Sequence, residues 1–226
     1  MNTAGNFSSQ SIPSNVSPLR KKTLSKLISE GIPFLDTLPD ISIKSEKIRN
    51  KDDILKRAIA VTVSSAKAFG CPEELISKIK EQYKDVISFS KNEKDFLDDL
   101  TPDNAINIGW KIEAGKMLFW ALGLINDHGS CTEEADINTF WNIIAKSSFE
   151  ELNNKTKLRN KEEILELLDY IYNVHWALVE VRLGNIKLPT QFKGTSVRDI
   201  VPEWHHGLNW ITLYCDQDWD EVTTDT

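Results

Sequence analysis

Three side chains able to do chemistry stand where apolar residues are expected. At about 100° per residue Glu113 shares a helix face with Trp110, Met117, Trp120 and Leu124. His175 and Arg182 share one with Ile164, Leu168, Ile171 and Leu178. A carboxylate taken out of water unpaired costs several kcal/mol, so Glu113 must protonate or find a cation, and His175 and Arg182 are the partners the sequence offers. Brought together, the three admit two readings. One is a satisfied structural network, the simpler case. The other is a site in which Arg182 holds an anionic group while Glu113 and His175 move a proton, the basis of an enzyme, hydrolytic in kind. No nucleophile with an adjacent base is evident beside them.

A second group lies in "EWHHGLNW", with Glu203, His205 and Asn209. Adjacent histidines point about 100° apart on a helix, so His205 and His206 do not readily ligate one ion, and HExxH is absent. His205 and Asn209 are one turn apart and share an edge that can line a pocket or pack in the core. The third group is "DQDWDEVTTDT", from Asp216 onward. Asp216, Asp218 and Asp220 imitate the first ligands of a calcium loop, but Glu221 replaces the glycine its turn needs and no twelfth-position glutamate is supplied. The segment reads as a latch in which Trp219 and Val222 dock, while carboxylates such as Asp220 and Asp225 cap helix N-termini or face water. No metal site is expected. His128, in "NDHGSC", has no companion in the sequence. A phosphate loop around Gly109 and Gly115 fails on spacing, and Met117 follows Lys116 where Ser or Thr is required.

The elements that must carry these residues are helices. Leu24, Leu27 and Ile28 have helical spacing before a stop at Gly31 and Pro33. Asn50 with Asp53 opens a helix carrying Leu55, Ala58, Ile59, Thr62, Ala66 and Phe69, which ends at Gly70. Pro72 opens another, burying Leu75, Ile76, Ile79 and Tyr83. Ser90 and Glu93 form a capping box for a short helix. Thr101 and Pro102 then begin the most apolar one, whose "WKIEAGKMLFWALGLI" must run through the domain centre. Ile137, Phe140, Trp141 and Ile144 mark a further helix. Asn160 caps the long segment closed by Gly184 and Asn185, and Val197 to Ile211 form a last helix, with Pro202 kinking it or marking a restart. Strand-like alternation is nearly absent. The fold class is therefore all-α: a polar, disordered tail over 1–17, then one compact helical domain over 18–226 with seven or eight helices.

Composition narrows the partners. A net charge of -7 with scattered basic residues argues against nucleic acid. No apolar run is long enough to span a membrane. Three cysteines without a CxxC fit reduced thiols in the cytoplasm, and the start lacks the basic and apolar regions of a signal peptide. Seven tryptophans are better used as core than as ligand platforms.

Taken together, "IRNKDDILKRAIAV", "WKIEAGKMLFWALG", "RNKEEILELLDYIYNVHWAL" and "VPEWHHGLNWI" followed by "WDEVTTDT" resemble the bacterial domain of unknown function 4272 family. The resemblance runs over most of the chain after about Arg20. It implies a compact helical protein and carries no reaction with it. Well-capped helices without a catalytic motif favour a non-enzymatic binding or regulatory module, with no cofactor and with an unknown protein or small molecule as partner. The alternative is the enzyme built on Glu113, His175 and Arg182. An enzyme needs those three within reach of one another at a cleft.

Overall fold

The computed structural model of the chain describes residues 11–41, 47–99 and 101–226. Among them are nine α-helices and no strand: α1 (Pro18–Ser29), α2 (Lys51–Ala68), α3 (Glu73–Gln82), α4 (Lys91–Asp98), α5 (Pro102–Ala121), α6 (Ile137–Ala145), α7 (Phe149–Lys155), α8 (Lys161–Arg182) and α9 (Val197–Ile211). The helix beyond the expected seven or eight is α7. Its signal was in the sequence: Ser148 and Glu151 make both hydrogen bonds of a capping box.

Most helix starts follow from side-chain caps. Ser17, Asn50, Ser90, Thr101 and Asn160 each accept a hydrogen bond from a backbone N–H of the first turn that has no partner inside the helix. Of the tail, residues 1–10 lie outside the described residues. Residues 11–17 belong to the domain, because Ile12 and Val16 pack on its core and Ser17 donates through its backbone N–H and hydroxyl to Asp40. Pro202 sits inside α9, which continues through it at the cost of one ladder hydrogen bond.

The centre is α5, which packs against α2 on one side and α9 on the other, while α8 lies on α9 and carries α1 on its far side. The approach of α5 and α9 depends on Gly207. A Cβ there would lie 2.8 Å from the Ala114 carbonyl oxygen, so only glycine lets the two backbones meet. On the outer side Arg20 of α1 is clamped to Asp169 of α8. Its Nε lies 3.0 Å from both carboxylate oxygens, and its terminal nitrogens donate to the carbonyls of Leu38 and Pro39. Both side chains are almost wholly buried, so the guanidinium fork must satisfy a charge that water cannot reach. Three apolar residues named on the expected helix stripes are exposed: Ile28, Phe69 and Leu75.

Among the described residues no helix is long and apolar enough to cross a membrane. Cys71, Cys131 and Cys215 are unpaired thiols. Five of the seven tryptophans are buried and the other two half-buried.

Candidate functional site

The three residues expected to gather do not form one group. Glu113 is 1% exposed, but its partners are hydrogen-bond donors and not cations: the Ala135 backbone N–H at 2.6 Å and the Trp204 indole N–H at 2.9 Å. Burial pushes its carboxyl above the ordinary range, against those two bonds, which favour the ionised form. Its role is to tie the loop before α6 and the indole of α9 to the middle of α5. His128 of that loop does have companions. It stands edge-on to Trp120 and Trp204, with ring centres 5.6 and 5.5 Å away. Arg182 falls in the last turn of α8, where the stripe runs out into solvent, and is exposed.

His175 instead meets the second candidate group. Its Nδ1 lies 3.0 Å from Nδ1 of His205 on α9, with the rings perpendicular and Tyr172 tilted against His205. Burial lowers His205 to about 3 and His175 to about 4, each further disfavoured as a cation by a neighbour, His175 for the one and Arg182 for the other. Both imidazoles are therefore neutral near pH ~7, and a neutral pair at this distance shares one Nδ1 proton. The adjacent His206 diverges, as helical geometry requires. It packs edge-on against Trp219 at 4.6 Å, held neutral by burial. Glu203 lies apart from the histidines, paired through both oxygens with Lys111 of α5.

His205 opens onto a cleft of about 380 Å³ between α8, α9, the chain at Pro39 to Ile41, and the C-terminal segment. Its floor is polar and buried: His205 and Asn209, one turn apart on α9, and Thr212, which caps the helix. Thr212 turns its hydroxyl back to the Leu208 carbonyl. Asn209 donates through Nδ2 to the Thr223 carbonyl, and among the described residues its Oδ1 and the Nε2 of His205 have no hydrogen-bond partner. Leu168, Tyr172 and Tyr214 form apolar walls, and Asp40 and Asp225 stand at the rim.

The C-terminal segment completes the cleft because the chain reverses after α9. Leu213, Cys215 and Asp216 all have left-handed φ, near 55°, an arrangement that costs non-glycine residues on the order of 1 kcal/mol or more each. Arg49 braces the turn, donating to the Trp210 carbonyl and lying over the Trp210 ring at 4.1 Å. The returning chain inserts Trp219 into the core, 5% exposed, edge-on to both His206 and Trp210. Asp220 accepts from the Asn92 N–H at the start of α4, where the helix dipole favours an anion. Val222 packs against the same core, and Asp225 arrives at the cleft.

His175, His205, Asn209 and Asp225, which the sequence distributes over three separate candidates, thus share one region. Their convergence needed the α8–α9 pairing and the turn at Leu213 to be known. Tyr172 and Tyr214 were missed because nothing in a sequence separates a wall tyrosine from a core one.

What emerges is an all-α domain with a polar-floored cleft at the meeting of two helices and a folded-back C-terminal segment. The chain belongs to the family described as Domain of unknown function (DUF4272), whose model matches residues 20–222. The match takes in the Arg20 clamp, Glu113, both helices of the histidine pair and Trp219. No curated protein and no solved structure matches the chain.

Proposed function

We propose that this protein is a non-enzymatic binding module whose cleft between α8 and α9 receives a small molecule. The observation that carries the reading is the pair of unsatisfied polar atoms in buried residues of the floor, Nε2 of His205 and Oδ1 of Asn209. Neither atom has a hydrogen-bond partner among the described residues, and both residues line the cleft, so each is open to a polar group of a ligand or to water. The volume, about 380 Å³, suits a compact ligand.

Catalysis is less well supported. The imidazoles bond to each other and not to a carboxylate, and their depressed pKa values make them weak bases near neutrality. Glu113 is committed to Trp204 and Ala135, and Arg182 to solvent.

A fragment screen by ligand-observed NMR tests the reading, run in parallel on the natural chain and on His205→Phe, which removes the polar floor atom while filling the space. Fragments that bind the natural chain and are lost in the variant support the cleft. Fragments bound equally by both, or an absence of binding to either, would overturn it.

A further inference from the structure

We infer that the occupant of the cleft is an organic cation, an ammonium group carried on a small apolar body. The inference rests on the reading of the cleft as a ligand site and adds its chemical class. Among the described residues, the charged side chains along its wall are Asp40 and Asp225, both carboxylates, and no lysine or arginine lines it. Asp40 is held in place by two hydrogen bonds from Ser17. Arg20, buried behind Pro39, is already neutralised by Asp169 and by the carbonyls of Leu38 and Pro39, so it offers nothing to an anion. Among the described residues of the wall, an acidic ligand would meet two like charges and no counter-charge.

The rest of the wall matches the same class. Tyr172 and Tyr214 supply aromatic faces of the kind that attract ammonium groups. The free atom of Asn209 is an acceptor on a residue that lines the cleft, so it offers a donor on the ligand a bond that water otherwise makes. An ammonium is a donor with no acceptor to waste, and an alcohol or amide satisfies the oxygen without using the carboxylates. Rim carboxylates near solvent give modest attraction individually, and the preference for a cation comes from the pair acting with the rings and the buried acceptor.

The test uses the full chain, labelled with nitrogen-15, and sets of probes with matched skeletons: 2-phenylethylamine, 2-phenylethanol and phenylacetate, and butylamine, butanol and butanoate. The amines are expected to shift the backbone amides of α9 around His205 and Asn209, binding about tenfold more tightly than the matched alcohols, with the acids weakest. The double variant Asp40→Asn, Asp225→Asn, whose asparagines keep the hydrogen-bonding shape, is expected to bring the amines down to the level of the alcohols and leave the alcohols unchanged. Alcohols or acids that bind at these amides as tightly as the amines overturn the cation while leaving the cleft a ligand site. Probes that shift no amide around His205 and Asn209 overturn both.

Discussion

The Nδ1 atoms of His175 on α8 and His205 on α9 lie 3.0 Å apart, with their rings at right angles. That contact requires one imidazole to donate and the other to accept, so the proton on one ring fixes the tautomer of its neighbour. A second Nδ1 proton would make one ring a cation and set two N–H donors against each other across this contact. The helix pairing and the neutrality of the cleft floor are therefore one property seen from two sides.

Stability should record this in its pH dependence. An unfolded histidine titrates near 6.5 and folded His205 near 3, so between those values the unfolded chain holds a proton the folded chain lacks. Its contribution is complete above the unfolded value and is lost as pH falls towards the folded one, at about 1.4 kcal/mol per pH unit. Glu113 and Asp169, raised by burial, oppose this at lower pH by taking up protons first in the folded state. Comparison with His205→Gln isolates the histidine. The stability lost between about pH 7 and about pH 5 in denaturant titrations should be about 2 kcal/mol smaller in the variant. Equal losses would mean that His205 is protonated in the fold.

Glu113 separates shape from charge. Its two partners are N–H donors, and burial already disfavours the anion, so Glu113→Gln removes a buried charge and keeps an acceptor for one partner while losing the other, and should cost about 1 to 2 kcal/mol. Glu113→Ala leaves the Trp204 indole and the Ala135 amide without acceptors and should cost about 2 to 4 kcal/mol. Similar losses in both variants, measured by urea unfolding, would point to the charge as the essential element.

Trp219 anchors the returning segment between His206 and Trp210. Trp219→Ala opens a large cavity and should cost about 3 to 5 kcal/mol, a fall in Tm on the order of 10 °C. Asp220→Asn keeps an acceptor for the Asn92 N–H and should cost less than about 1 kcal/mol. Calorimetry of the two variants checks the contrast, and a melt left unchanged by Trp219→Ala would show that the segment is not held by its indole.

Gly207→Ala places a methyl carbon against the backbone of Ala114, which has no rotamer with which to give way. The helices must part, and a loss of about 2 kcal/mol or more in unfolding free energy is expected, although alanine is the better helix former by about 1 kcal/mol. A gain in stability would mean that α5 and α9 do not meet this closely.

The helices were legible because their punctuation is local. Asn50, Ser90, Thr101 and Asn160 announce helix starts through a bond to a backbone N–H a few residues away, which requires nothing distant. The same rule holds at Ser148 and Glu151, but α7 went unread in the sequence because too few apolar residues follow to make the helix evident. Arg182 was misplaced because periodicity extends a stripe to the end of a helix while the core it faces stops sooner. The histidine pair was out of reach for another reason. His175 and His205 stand on different helices, and no spacing within either one encodes which face of α8 meets which face of α9. The left-handed turn at Leu213 was hidden too, since leucine and cysteine carry no preference for that conformation.

The clamp between Arg20 and Asp169 also sets an order in time. The two residues are 149 positions apart in the chain, so at ~5 to 20 residues per second a ribosome delivers Asp169 roughly 7 to 30 s after Arg20. Through that interval α1 has its guanidinium and its apolar face, Leu24 and Leu27 included, with no α8 to receive them. Helix α1 is thus among the last to dock, and nascent chains halted before α8 should present it to chaperones as an exposed, partly apolar segment.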